Sequence, residues 1–383
     1  MKKRKICVVI ASRVHYGRLK PVLEAIKQHP NLELQLVVGA SALLERYGNI
    51  TQMIQQDGFT INETFHMILE GENPITMAKS TGLGILELST IFANLKPDVI
   101  FTHADRFETL ATAIAASYMN IPLVHNQGGE VTGSIDESVR HAVTKLAHVH
   151  TTTNAETSQR LIKMGEDPKT VFITGCPSID LAKGTDLSVT KNVLMNYKGV
   201  GNSIDITQPY LVVLQHPVTT EYGNGLQQIN QTLQAINELK MPTIWLWPNV
   251  DAGSDEISKG IRLFREQHDP PFVYFLKNMH PEDYLKLIAN ASCCVGNSSS
   301  FIREGSFLGT PAVIIGTRQQ GRTKAKNVVE VDYDKQQILD AVQAQIRHGK
   351  FPSDTMYGEG NASKKIADIL ATCRVNIQKR IQY

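Results

Sequence analysis

Ile6-Cys7-Val8-Val9-Ile10-Ala11-Ser12-Arg13 opens the chain with five apolar residues in a row that break into small and charged ones. A continuous apolar run that short is the pattern of a strand buried on both faces. The residues after it decide the fold. Leu19, Val22, Leu23 and Ile26 recur at the spacing of one helix face, and Leu32, Leu34, Leu36 and Val38 then alternate with Glu33 and Gln35 as a second strand. Strand, helix, strand is a crossover unit, and it predicts a parallel sheet with helices on both faces.

The pattern continues outward. Residues 97–103 read as a strand, Phe107, Leu110, Ala111, Ile114, Ala115 and Tyr118 as a helical stripe, and residues 121–125, 148–152 and 171–174 as further strands. From 181 to 209 Gly and polar residues dominate, which marks a linker. Strands at 210–214, 243–247, 272–276, 292–295, 311–315 and 328–331 then alternate with helices at 226–239, 257–267 and 281–290. This alternation gives the α/β class, with two Rossmann-like domains facing a cleft. The expected division is 1–190, 205–365, and a tail or helix at 366–383 packing back on the first domain.

Composition limits what such a protein does. Its 383 residues, 42 % hydrophobic and 20 % charged, suit two ordinary globular domains. With 39 basic against 37 acidic residues the net charge is +2, so neither nucleic acid nor an anionic membrane is expected as partner. Cys7, Cys176, Cys293, Cys294 and Cys373 form no C-x-x-C pair and no zinc-finger spacing. The basic start at Met1 leads into an apolar run too short for a signal peptide, and no stretch approaches the roughly eighteen apolar residues of a membrane span. A reduced, cytoplasmic protein is expected.

In open α/β sheets ligands bind outside the carboxyl ends of the strands. The loop Ala11-Ser12-Arg13-Val14-His15-Tyr16-Gly17 lacks G-x-G-x-x-G, which disfavours a dinucleotide; Arg13 is either a solvated loop residue or a phosphate ligand at a helix N-terminus. In His103-Ala104-Asp105-Arg106-Phe107-Glu108, Asp105 is either an N-cap or a carboxylate aimed into the cleft beside a cation. The segment from His125 to His141 packs Gln127, Glu130, Asp136, Glu137, Arg140 and three glycines between a strand and a helix, more than turn chemistry needs, and suits a general acid and base. His148-Val149-His150 has the spacing of a metal pair but no third ligand, so no metal is expected.

In the second half, His216 and the Asn249-Val250-Asp251 segment come just past strand ends. Ser298-Ser299-Ser300 open a helix whose amides and hydroxyls suit a diphosphate. Glu304 could accept both hydroxyls of a ribose, and Arg318 and Arg322 add cations. These residues point to an enzyme acting on a sugar nucleotide or a similar diphosphate, without giving the reaction.

Ser12-Arg13, Tyr47-Gly48-Asn49, Ala104-Asp105-Arg106-Phe107, Gly128-Gly129-Glu130, Ile135-Asp136, Arg140-His141, Gly175-Cys176-Pro177-Ser178, Gln215-His216-Pro217, Pro248-Asn249-Val250-Asp251, Gly296-Asn297-Ser298-Ser299, Gly316-Thr317-Arg318 and Tyr357-Gly358-Glu359-Gly360-Asn361 occur in that order along nearly the whole chain. In this series the chain resembles the hydrolysing UDP-N-acetylglucosamine 2-epimerases of sialic-acid and related nonulosonic-acid synthesis. The resemblance implies a glycosyltransferase-B-like fold, a UDP-sugar substrate, no cofactor and a homo-oligomer. It implies removal of the C2 proton, anti elimination of UDP to a glycal, and water addition giving the free 2-epimeric sugar. It carries over Asp105 and Asp136 as catalytic carboxylates and sets His216 near the diphosphate. Arg13, Arg106, Ser298, Ser299 and Arg318 fall at diphosphate positions and Glu304 at the ribose position, with His103, Asn249 and Asp251 as further cleft residues.

One residue departs from the family pattern. Members often carry His-x-Glu-Gly-Gly-Glu, where the first Glu is taken as catalytic; here Gln127 stands at that Glu. Glutamine cannot ionise. Either Asp105, Asp136 or Glu130 takes the proton, or Gln127 binds a substituent, and an amide suits an added acetamido group as in a UDP-N,N′-diacetylbacillosamine. The rival readings are a non-hydrolysing 2-epimerase, a sugar-nucleotide glycosyltransferase of the same fold, and a binding or regulatory protein with a dead site.

Overall fold

β1 (Arg4–Ile10) is buried from Ile6 onward and lies between two parallel neighbours, β2 (Leu32–Gly39) and β4 (Val99–His103), with Val8 opposite both Leu36 and Phe101. The computed structural model describes residues 2–190 and 193–382. Lys191 and Asn192, inside the expected linker, and Met1 and Tyr383, at the outer ends of the first and last expected regions, lie outside the described residues. With β3 (Glu63–Phe65), β5 (Leu123–Asn126), β6 (Val149–Thr152) and β7 (Val171–Ile173), these strands form a seven-stranded parallel sheet ordered β3-β2-β1-β4-β5-β6-β7. β8 (Leu211–Leu214), β9 (Thr243–Leu246), β10 (Val273–Leu276), β11 (Cys293–Gly296), β12 (Ala312–Ile315) and β13 (Val328–Val331) form a second parallel sheet, β10-β9-β8-β11-β12-β13. Both orders reverse direction beside the first strand of the sheet, and that is where crevices for ligands open.

The pleat of β1 divides the first core. Ile6, Val8 and Ile10 face one side with Leu19, Val22, Leu23 and Ile26 of α1 (Arg13–Gln28). Cys7 and Val9 face the other, with Leu88 and Phe92 of α3 (Pro74–Leu95) and Ala111 and Ala115 of α4 (Phe107–Tyr118). The sequence pattern gives no account of α3. It is apolar almost all round, so no periodic face stands out. Its start is set locally by Asn73, whose side chain accepts from the Thr76 amide, and by Pro74 in the first turn. Gly84 lets it approach α4, since a Cβ there would meet the Ala111 Cβ at 3.0 Å.

The expected linker starts later than position 181, because α7 (Pro177–Gly184) runs through that point and packs on α1. At the other end, α13 (Ala362–Thr372) returns to the first sheet, where Ile366, Ala367 and Leu370 join the core on the α1 side. Arg4 donates to the carbonyls of Leu370 and Cys373, each at 2.9 Å. No helix among the described residues is long and apolar enough to cross a membrane. Leu370→Ala should therefore destabilise the first domain, by about 2–5 kcal/mol for a buried leucine, read as a lower urea midpoint.

Candidate active site

The loops at the two reversal points face each other across a cleft. In the first domain, Ser12 caps α1 by accepting from the His15 amide at 3.2 Å. Arg13, the first residue of that helix, donates across the cleft to the Trp247 carbonyl at 2.7 Å. After β4 the chain turns through Ala104, whose φ of 63° is left-handed, and Asp105. A non-glycine residue there costs roughly 1–3 kcal/mol and is found where surroundings impose it. Here His125 imposes it. Burial keeps that ring neutral, lowering its pKa to about 3; Nε2 donates to the Ala104 carbonyl at 2.8 Å and Nδ1 accepts from Thr144 Oγ1 at 3.2 Å.

Asp105 is not an N-cap. The capping position of α4 is Arg106, with no side-chain cap bond, and the Asp105 carboxylate pairs with Arg140. Arg140 lies one turn into α5 (Asp136–Leu146), the helix that begins at Asp136. One helix thus carries one cleft carboxylate and the cation that holds the other.

The second domain supplies the opposite wall. His216 lies just past β8 and is also held neutral, its pKa pushed well down by burial and then by Arg318. Its Nδ1 accepts from the Asn249 amide at 3.2 Å, which leaves Nε2–H as the free donor. Ser298 caps α11 (Ser299–Leu308) through the Ser300 amide at 3.4 Å. Ser299 Oγ accepts from Arg18 at 2.6 Å, and Ser300 Oγ bonds both to the Tyr284 hydroxyl at 2.5 Å and to Ser298 Oγ at 2.8 Å. Glu304 is buried with Oε2 lacking any hydrogen-bond partner.

Charges from the two domains interlock. Asp251 accepts from Arg106 of the first domain at 2.8 Å and from Arg318 of the second at 3.0 Å, and Arg318 also lies 3.7 Å from Asp136. Burial raises the Asp136 carboxyl to about 6, and the nearby Asp251 charge adds to the rise. Asp251 goes the other way: Arg106 and Arg318 outweigh burial and lower it. Glu130 is held between Arg303 and Arg322.

Arg13, Asp105, Arg106, Asp136, His216, Asn249, Ser298, Ser299, Glu304 and Arg318 line one common cavity. Four other expected residues stand behind its wall. His103 is turned into the protein, with Nδ1 on Asn126 Oδ1 at 2.7 Å. Gln127, fully buried in a left-handed conformation, has its Nε2 on Cys176 Sγ at 2.9 Å and its Oε1 unpartnered. Glu130 and Asp251 are engaged by the arginines that flank them. His148 and His150 serve the fold: His150 Nε2 meets Glu166 at 2.9 Å and His148 Nδ1 accepts from the Leu123 amide.

Sequence reasoning misses Arg18, Tyr284 and Arg303 on the cavity wall. Arg18 sits five residues after Arg13 in a helix and looks like surface. Arg303 has its partner 173 positions away, so no local pattern marks it.

The UDP-N-acetylglucosamine 2-epimerase family matches residues 24–371. The UDP-N,N'-diacetylbacillosamine 2-epimerase (hydrolyzing) of Legionella pneumophila is 33 % identical over 98 % of this chain and 97 % of its own. The UDP-N-acetylglucosamine 2-epimerase of Neisseria meningitidis serogroup B is 32 % identical over 99 % of this chain and 98 % of its own. Among solved structures, the Methanocaldococcus jannaschii UDP-GlcNAc 2-epimerase in complex with UDP-GlcNAc and UDP aligns with a TM-score of 0.79 at 16 % identity, over 96 % of this chain and 99 % of that one. A family match over most of the length, relatives above 30 % identity end to end, and a cleft built at the reversal points of two sheets agree: the chain belongs to the UDP-N-acetylglucosamine 2-epimerase family.

Proposed function

We propose that the protein is a hydrolysing 2-epimerase that converts a UDP-2-acetamido sugar to the free 2-epimeric sugar and UDP. The observation that carries this reading is the pair Asp105 and Asp136, both on the cavity wall and linked through α5, opposite a serine-opened helix and a neutral histidine. Inversion at C2 needs a proton removed from one face and returned to the other, which is work for two groups. Asp136 suits the base: near 6 it is ionised at neutral pH yet more basic than an ordinary carboxylate. Asp105, held by Arg140, suits the second transfer. Loss of the C2 proton and of UDP from C1 gives a glycal, and water then adds its oxygen at C1 as C2 is reprotonated. Arg13, Arg106, Arg318, His216 Nε2–H and the amide end of α11 suit the departing diphosphate. The unpartnered Glu304 Oε2 suits a ribose hydroxyl.

The diacetamido sugar is favoured over UDP-N-acetylglucosamine by the sequence departure at Gln127; its side chain lies behind the cavity wall with Oε1 unpartnered, and would meet an added acetamido N–H only after turning toward the cavity. The names of the Legionella and Neisseria relatives span both substrates. A cytoplasmic enzyme is supported by five free cysteines, and a homo-oligomer by Ile75, Leu86 and Tyr118 exposed on α3 and α4.

Incubation with both UDP-sugars, identifying every product, tests the reading. Free 2-epimer plus UDP is expected, faster from the diacetamido substrate; clear preference for UDP-N-acetylglucosamine sinks that substrate assignment. Interconversion of two UDP-sugars without UDP release would show a non-hydrolysing enzyme, and transfer to an acceptor a glycosyltransferase. Asp105→Asn and Asp136→Asn should each lower kcat by roughly 10²–10⁴-fold, and near-normal turnover in both overturns the assignment. Because Asp136 must be ionised to act as base, kcat/KM should fall as pH drops through about 6, and this limb should be missing from the residual activity of Asp136→Asn. Glu304→Ala should weaken UDP binding by about 1.5–3 kcal/mol, the range for a charged hydrogen bond, as read by calorimetry.

A further inference from the structure

The loop 131–135 ends at Asp136, and the first domain holds it with few bonds. The Thr132 amide donates to Glu137 at 2.8 Å and the Asp136 amide to Ser134 Oγ at 3.3 Å. At its end the Ser134 and Ile135 carbonyls accept from the Glu137 and Val139 amides of α5 at 3.1 and 3.2 Å, and the support around Gly133 comes from the second domain. The Gly133 amide donates to the Arg318 carbonyl at 3.0 Å, its carbonyl accepts from Thr220 Oγ1 at 3.5 Å, and the Ile135 amide donates to Thr219 Oγ1 at 3.4 Å.

Gly133 is where this contact is tightest. A Cβ at that position would fall on the carbonyl group of Thr317, with its carbon at 2.9 Å and Gln320 Cβ beyond it at 3.3 Å, so the nearest obstacles all belong to the second domain. Its φ lies outside the left-handed region. The loop itself would therefore accept alanine, and only the docked second domain forbids it. Arg318, whose carbonyl holds Gly133, sends its guanidinium to Asp251 and towards Asp136.

We propose that Gly133 is a positioning residue: its bare backbone seats on the Thr317 and Arg318 carbonyls and thereby sets Asp136 in the cleft only when the second domain is docked. Proton abstraction is then coupled to the state of the domain that holds the nucleotide. This inference rests on Asp136 acting in proton transfer, as proposed for the reaction.

The test is Gly133→Ala in the full chain, with three measurements. The value of kcat on the UDP-sugar should fall at least about tenfold while Kd for UDP alone stays within about threefold, the signature of lost transition-state placement rather than lost binding. The unfolding midpoint should not move. Amide exchange in the peptide 131–137 should quicken about tenfold while α4 keeps its protection. Turnover within about twofold of the parent overturns the proposal, and so does a parallel loss of kcat, UDP affinity and stability, which marks a merely structural glycine. If the parent turns over no UDP-sugar, the functional reading fails on its own; unchanged exchange in Gly133→Ala then overturns the seat independently.

Discussion

Glu130 leaves the first domain and ends between two arginines of the second, Arg303 and Arg322, with all three side chains almost wholly buried. A charge removed from water alone carries a penalty of several kcal/mol, so none of the three is comfortable until the domains meet. Burial by itself would raise the Glu130 carboxyl; the two arginines outweigh it and hold the group ionised. Asp251 repeats the logic with Arg106 and Arg318. Several charges of the cleft are thus balanced across the seam, Glu130 by Arg303 and Arg322 and Asp251 in part by Arg106, while Asp105 is paired within the first domain by Arg140.

Within the first domain the order runs along α5. Asp136 starts it, Arg140 reaches Asp105, and Thr144 reaches His125, which fixes the peptide before Asp105. Its far end is also tied. Lys379 donates to the carbonyls of Thr144, Lys145 and Ala147 at 2.9, 3.1 and 2.6 Å, groups that a helix leaves unsatisfied at its C-terminus. The same ammonium meets Glu166, which His150 and Lys145 also contact. A histidine pair that reads in the sequence like half a metal site therefore belongs to the anchoring of this helix.

Much of this is legible in the sequence, for a physical reason. Buried parallel strands must be short and apolar throughout, so β1, β4, β8 and β12 announce themselves, and the loops after them are where polar residues collect. Asp105, Asp136, His216 and Ser298 can be named because they lie just past such runs. The hidden part depends on pairs distant in sequence. Glu130 and Asp251 look like ligand contacts until Arg303, Arg322, Arg106 and Arg318 are seen to occupy them. His103 and Gln127 stand in the same kind of loop as Asp105, yet their side chains turn inward, and no spacing rule distinguishes the two directions. Ala104 and Gln127 in left-handed backbone are equally silent, because neither residue type favours that conformation.

The return of α13 to the first sheet makes the second domain an insertion. β1 and α13 lie on the same body, where Arg4 grips the carbonyls of Leu370 and Cys373. Two strands of covalent chain therefore cross the seam side by side, where Lys183 donates to the Glu359 carbonyl at 2.8 Å and Asp180 accepts from the Ala362 amide at 3.0 Å. Such a double tether limits twisting of one body against the other far more than a single linker would, and it leaves rocking about the line joining the crossings as the soft motion.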